Sequence, residues 1–278
     1  MKHAPVPTTL SRAVRIFVCR PADAVASAIS PAVSHADLSR NSFAGFPSTN
    51  GIGAWFEIEV AVRGTPELQT GYLATLAQLD RSVRDSVIPL LQNALFSTPD
   101  GLNPAPATLL VEMVELVSKK IEKPIESLKW SLSPYHQLTW SRKMPQQTTF
   151  SSIFEFAASH RLNDPSRTPA ENAEFFGKCN KLNGHGHNYR IEVGVAIPVG
   201  SAFGMADLEG IVDRAVIERF DHMNLNIDCP EFHSLNPSVE HIAAVCFDLL
   251  KGALSDCPVE LKRVRLWETS KTSATIEA

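Results

Sequence analysis

Hydrophobic and polar positions in the second half of the chain follow two distinct periods. Phe154, Phe156 and Ala158 alternate with Glu155 and Ala157, a period of two that predicts a strand ending near His160. A second strand is predicted from Tyr189 to Ile197, with Ile191, Val193 and Val195 on one face. Leu208, Ile211, Val212, Ala215 and Val216 switch to helical spacing. Asn236-Pro237 reads as the start of another helix, an N-cap followed by Pro at the first helical position. Its buried stripe is Ile242, Val245, Cys246 and Leu249, and Gly252 marks its end; Val264 to Trp267 then predicts a final strand. Paired strands with two helices on one face of an antiparallel sheet make an α+β domain.

The first half follows the same order. The stretch Phe43–Val60 resembles Phe176–Val193 at an offset of 133 residues, sharing Asn-Gly-x-Gly and Ile-Glu-Val. Asp80-Arg81 and Val83 fall on Asp213-Arg214 and Val216 at the same offset. Two tandem copies of one domain are therefore expected, over residues 1–146 and 147–278, with the boundary near Lys143 to Gln147. A length of 278 residues accommodates two such domains.

Composition narrows the partners. A net charge of -4 offers no electrostatic footprint for nucleic acid. No run approaches the ~20 apolar residues of a membrane span, and Met1 to Leu10, with two prolines and no continuous apolar stretch, does not read as a secretory signal. The five cysteines are odd in number and contain no CxxC, which argues against a disulfide framework or a thiolate zinc knuckle and for a reducing cytoplasm.

Candidate chemistry concentrates from residue 160 onward, where six of the nine histidines lie. In Asn183-Gly-His-Gly-His-Asn-Tyr189, residues i and i+2 of a strand point the same way, so His185 and His187 present their imidazoles side by side. Gly184 and Gly186 leave that approach open, and His160 ends the neighbouring strand. Three imidazole nitrogens with an open fourth position suit a catalytic zinc ion. Isolated histidines are more often plain core or surface residues, but the His-x-His pair with a third imidazole favours a metal. Cys179 precedes the pair in Gly-Lys-Cys-Asn, where a nearby dication and Lys178 would favour a thiolate able to act as base or nucleophile. Cys246 fits the helix stripe and is expected in the core. Asp221-His222 follows the first long helix; an Asp beside a His orients the ring and supports proton transfer near neutral pH. Glu268, at the end of the last strand, offers a carboxylate that can take two parallel N–H bonds.

Together these residues resemble the 6-pyruvoyl/6-carboxy-tetrahydropterin synthase family over about Phe150 to Glu277. The resemblance is carried by Phe-Ala-Ala-Ser-His160-Arg-Leu, Glu171-Asn172 before Phe-Gly-Lys-Cys179-Asn, Gly-His185-Gly-His187-Asn-Tyr, Asp221-His222-x-Asn-Leu-Asn, Asn-Pro-Ser238-Val-Glu240 and Trp-Glu268-Thr269. It implies a T-fold, an antiparallel four-stranded sheet with two helices between its second and third strands. It also implies homo-oligomers whose sheets join into barrels, with active sites at the seams. His160, His185 and His187 match the family's Zn2+ ligands, Cys179 its catalytic thiol, and Asp221 and His222 its proton relay, supplied across a subunit interface. Glu268 matches the carboxylate that anchors the pterin; Ser238 and Val239 fall where further pterin contacts are placed.

The implied activity is that of a lyase converting the small molecule dihydroneopterin triphosphate to 6-pyruvoyl-tetrahydropterin with loss of triphosphate. The 6-carboxy branch, which serves queuosine biosynthesis, releases acetaldehyde as well. Five residues, Asn180 to Gly184, separate Cys179 from His185, a spacing typical of the pyruvoyl branch. Thr272 departs from the Asn many members carry there. Two readings of other kinds compete: a non-catalytic zinc- or pterin-binding scaffold, and a zinc hydrolase using Glu171 or Asp164 as base. In the first copy, Ile52, Ala54 and Phe46 stand at the positions of His185, His187 and Cys179, Ile88-Pro89 at those of Asp221-His222, and the Glu268 region falls near Pro134. That copy is expected to be catalytically silent.

Overall fold

The protein, seen in a computed structural model, is described over residues 6–20, 52–96 and 105–278. It divides into two compact units: one runs to Thr149 and includes Pro198–Ala202, and the other comprises Phe150–Ile197 and Phe203–Ala278.

In the first unit, β1 (Thr8–Cys19) pairs antiparallel with β2 (Gly53–Gly64), β2 with β3 (Ile125–Ser131), and β3 with β4 (His136–Ser141). Between β2 and β3 the chain forms α1 (Leu76–Phe96) and α2 (Pro106–Ser118). Leu79, Val83, Val87 and Leu91 recur at helical spacing along α1 and, with Leu110, Met113 and Val117 of α2, are at most 1% exposed, as are Val14, Ile16, Val18, Ile58 and Val60 of the sheet. Alternate strand residues thus meet one helical stripe, which is how a sheet buries a single face. The part of the repeat from Phe43 to Asn50, including Phe46, lies outside the described residues.

In the second unit the strand order is β5 (Gln147–His160), β6 (His185–Pro198), β8 (Glu260–Thr269), β9 (Thr272–Glu277), with β7 (Met223–Asn224) set parallel on β5. β6 and β8 are antiparallel, with Ile191 opposite Leu266 and Val193 opposite Val264. Three helices accompany them: α3 (Pro169–Phe176), α4 (Met205–Val212) and α5 (Val239–Ala253). α4 continues through a π-helical turn, Asp213–Ile217, into Glu218–Phe220. Leu208, Val212, Val216 and Phe220 are all fully buried at steps of four. A regular 3.6-residue turn would rotate such a row away from the core, and the wider turn keeps Val216 and Phe220 on it.

Several elements depart from expectation. β6 starts at His185 rather than Tyr189, so the His-x-His pair is itself strand. The N-cap of α5 is Ser238, whose hydroxyl accepts from the His241 N–H, rather than Asn236; a hydroxyl at that position reaches the N3 amide. The buried stripe of α5 takes in Ala243, Phe247 and Leu250 with Ile242 and Cys246, while Val245 and Leu249 are half-buried. Gly252 lies inside the helix, and the final strand is a hairpin of two. Among the described residues no helix is long and apolar enough to cross a membrane.

Candidate active site

The site is built on the ends of β5, β6 and β8. β5 delivers His160 and β6 delivers His185 and His187 on one face, as strand alternation requires. Their ring centroids are 4.5 Å (His160–His185), 5.2 Å (His160–His187) and 4.7 Å (His185–His187) apart. One ligand nitrogen from each falls within 4.8 Å of the others. Gly184 makes this convergence possible. Its φ is +69°, and a Cβ there would lie 2.7 Å from the His160 carbonyl oxygen. Gly186 has no comparable role: a Cβ would meet only ordinary contacts, with Ala158 O at 3.5 Å.

The electrostatics suit a cation. His160 is fully buried, and its Nδ1 lies 2.7 Å from the Pro237 carbonyl, so Nδ1 carries the proton and the Nε2 lone pair is left facing inward. That Nε2 stands 3.3 Å from His185 Nε2. Burial pushes the His160 and His187 imidazoles below their ordinary titration range, favouring the neutral form that ligates metals. His187 Nε2 is buried without a hydrogen-bond partner. Glu268, from β8, completes the wall: its Oε1 is 3.5 Å from His160 Nε2 and 3.8 Å from His187 Nε2. Inward-facing lone pairs and an unpartnered nitrogen from three converging imidazoles are a donor set that could hold a metal ion, with the Glu268 carboxylate beside it.

Cys179 sits half-buried on a short 3-10 turn, Gly177–Asn180, after α3. The Leu162 N–H donates to its carbonyl at 2.9 Å, tying the turn to the segment that leaves His160. The Tyr189 ring packs against His160 and His187, and burial first, then Glu268 and Cys179, push its hydroxyl above the ordinary range.

Four asparagines, none given a role at the site on the sequence reading, hold these segments together. Asn180 Nδ2 donates to the Leu162 carbonyl at 2.7 Å. Asn172, 2% exposed, accepts from the Asp164 N–H and donates to the carbonyls of Asp164, Arg167 and Thr168. Asn226 closes a two-way pair with the Arg161 backbone, and the Asn236 side chain accepts from the Asn163 N–H. Asn and Asp signal turns in any sequence, so only the recurrence of Asn beside each motif could have marked them.

Asp221 and His222 lie at the end of the π-turned helix. Asp221 Oδ1 accepts from the Ala157 N–H at 2.7 Å, and Oδ2 faces His222 Nδ1 at 2.7 Å. The Ala157 amide, with a smaller contribution from His222, holds the Asp221 carboxyl below its usual range. His222 adopts φ +61°, rare for a residue with a side chain, and its own N–H is held by the Ala157 carbonyl. The ring is 83% exposed and borders a cavity of about 540 Å3 whose lining runs along both strands, Ala157 to Ser159 of β5 and Gly186 to Asn188 of β6, and so includes His187.

The remaining candidates are engaged locally. Ser238 caps α5, and the Val239 side chain is 7% exposed in the core. Glu171 forms a capping box with Thr168, and Asp164 accepts from Ser166 and Arg167. Neither carboxylate has a contact with the imidazoles among the described residues, so the base that a hydrolase would need is missing from the two positions suggested for it. Cys246 is fully buried, as its place in the stripe predicted. Ile52 is 97% exposed and Ile88-Pro89 lies within α1, which runs on where the corresponding helix of the second unit has already ended.

Comparison with known proteins gives a consistent picture. The family model described as 6-pyruvoyl tetrahydropterin synthase matches residues 149–278. The chain is 38% identical over 128 residues to the 6-pyruvoyl tetrahydrobiopterin synthase of Homo sapiens, covering 44% of this chain and 86% of that protein. It is 37% identical over 120 residues to the Drosophila melanogaster protein of the same name, covering 42% of this chain and 71% of that protein. The solved 6-pyruvoyl tetrahydropterin synthase of Caenorhabditis elegans is 34% identical, covers 48% of this chain and 96% of its own, and superposes with a TM-score of 0.44.

Proposed function

The chain belongs to the 6-pyruvoyl tetrahydropterin synthase family, and from that premise we propose that its second unit is a Zn2+-dependent lyase converting dihydroneopterin triphosphate to 6-pyruvoyl-tetrahydropterin with release of triphosphate. The observation that carries this reading is the convergence of His160, His185 and His187 with Glu268 and the nearby Cys179. His160, His185 and His187 hold the ion. A zinc ion held by them would supply Lewis-acid polarisation of substrate oxygens, which would make an adjoining C–H more acidic. Glu268 anchors the aminopyrimidinone edge of the pterin by accepting its parallel N–H groups. The Cys179 sulfur, as thiolate, removes the carbon-bound proton, and its turn is kept in place by Asn180 and Leu162. His222, steadied by Asp221, returns a proton at another carbon. At α5, Ser238 and Val239 contribute through their backbone, since their side chains are occupied.

The 83% exposure of His222, which among the described residues has no bond to the three imidazoles, supports a relay that serves a centre in another copy of the chain. β1 and β9, each with one strand neighbour among the described strands, provide edges for such assembly. The first unit, with four strands around two helices and none of the reacting residues, is read as a degenerate T-fold copy that builds structure rather than chemistry. The test is to load the purified protein with zinc, add dihydroneopterin triphosphate and analyse the products by mass spectrometry. Triphosphate with the 6-pyruvoyl product is expected. Acetaldehyde would transfer the protein to the 6-carboxy branch, and substrate left unchanged would reject the enzyme reading in favour of a binding scaffold.

A further inference from the structure

Tyr189 carries a polar group into a place that has no evident use for one. The residue is fully buried, and its Oη is buried with no hydrogen-bond partner. Its ring is clamped: Phe156 stacks on it at 5.1 Å with an interplanar angle of 18°, while His187 and His160 meet it edge-on at 5.6 and 6.2 Å. A phenylalanine would fill the same slot. Buried hydroxyls are nearly always matched by an acceptor, so an unmatched one beside a reactive cluster asks for a partner.

The strand register points to that partner. Arg190 on β6 stands opposite Trp267 on β8. Strand alternation carries Tyr189 on the face of Ile191 and Glu268 on the face of Leu266, which pairs with Ile191, so the two residues lie on one face at the same end of neighbouring strands. A phenol is a donor at neutral pH; burial first, then Glu268 and Cys179, push this one above its ordinary range. Glu268 in turn lacks a settled donor. Its nearest groups are His160 Nε2 and His187 Nε2. With the His160 proton on Nδ1, that Nε2 has none to give, and both nitrogens are lost as donors once they bind a cation.

We propose that Tyr189 is a positioning residue whose hydroxyl donates to the Glu268 carboxylate when a cation occupies the three imidazoles, fixing its plane so that both oxygens still present a lone pair to the ligand. This rests on the metal-centre reading above, and its ligand arm on the pterin reading. Tyrosine side chains have a Raman doublet whose intensity ratio reports whether the phenol donates to a strong acceptor. Tyr72 and Tyr135, the other two tyrosines, are 59% and 48% exposed and supply a constant background.

The experiment compares zinc-loaded wild type, Tyr189→Phe and Glu268→Gln by ultraviolet resonance Raman, the Tyr189→Phe difference isolating the residue. A strong-donor signature at Tyr189 that weakens in Glu268→Gln is expected. A Tyr189 signal indifferent to Glu268→Gln overturns the proposal, whether or not the protein turns over a pterin. Should Tyr189→Phe fold poorly, the wild-type and Glu268→Gln spectra decide alone. In turnover, losing one hydrogen bond to a charged group should raise KM for the pterin substrate about tenfold in Tyr189→Phe, with a smaller fall in kcat. Equal loss in kcat with unchanged KM would contradict a role in orienting the anchor. Wild type that fails to turn over the substrate would instead count against the proposed function, with the Raman comparison still standing.

Discussion

Replacing Gly184 by Ala perturbs the centre without removing any reacting group, and its cost can be worked from the structure. At φ +69° an L residue sits in the left-handed region, at a cost of about 1–2 kcal/mol. The new Cβ would also lie 2.7 Å from the His160 carbonyl, so the two backbones must separate by about 0.7 Å to reach the 3.4 Å of ordinary contact. Metal–ligand distances tolerate only about 0.2 Å. Gly184→Ala should therefore lower stability by roughly 2 kcal/mol, a fall in Tm of about 4–8 °C for a chain of this size. Zinc affinity should drop on the order of 10–100-fold, as when the supports of a ligand are disturbed. Gly186→Ala is the matched control, since its Cβ meets Ala158 O at 3.5 Å and Ser159 Cβ at 4.0 Å. It should leave both quantities near wild type. Thermal unfolding with chelator competition on the two variants decides the matter. Equal damage from both, or a Gly184→Ala protein indistinguishable from wild type, would refute the claim that this close backbone approach sets His160 in place.

Further outcomes follow from the same geometry. Metal-free protein should be fully stabilised by its neutral His160 and His187 above about pH 6.5. Both imidazoles titrate below their ordinary range in the fold, so the unfolded chain takes up protons first and stability should fall as pH drops below that value; a Tm that stays flat or rises from pH 7 to 5.5 would contradict the burial of these rings. Asn172→Ala removes a nearly buried amide that bonds the Asp164 N–H and the carbonyls of Asp164, Arg167 and Thr168, and should cost about 1–3 kcal/mol in chemical denaturation, more than an exposed asparagine. Cys179→Ala should retain one zinc per chain by elemental analysis yet lose turnover. Mixing and reassembling Cys179→Ala with His222→Ala should restore part of the activity if the relay acts across copies, whereas a mixture as inactive as its parents would place both residues in one chain's centre.

The legible parts of the site were those whose chemistry repeats at a strand's own period. His185 and His187 could be placed on one face because they stand two positions apart, and His160 and Glu268 because each lies at the end of a strand. Tyr189 continues the same two-residue row, yet beside Ile191 and Val193 it reads as one more core side chain; its hydroxyl was the overlooked signal. The wrong helix start at Asn236-Pro237 has a similar origin. Asn, Pro and Ser are all good first-turn residues, and only the reach of the Ser238 hydroxyl to His241 N decides among them. Asn236 serves instead as an acceptor for Asn163, and Pro237 gives its carbonyl to His160. Such long-range uses of a turn residue leave no local pattern. The left-handed backbone of His222 and the π turn before it are equally silent in composition, being set by what Ala157 and the core demand.

The asparagine brackets around Cys179 have a consequence for how this chemistry can be lost or moved. They bind stretches near residues 161–164, 172, 180, 226 and 236 into one frame, so the sulfur and the first metal ligand should open to solvent together, in a single event. A variant at any of these amides can silence the centre while every reacting group stays intact. Conversely, writing three histidines and a cysteine into the silent half of the chain would produce ligands without a chassis.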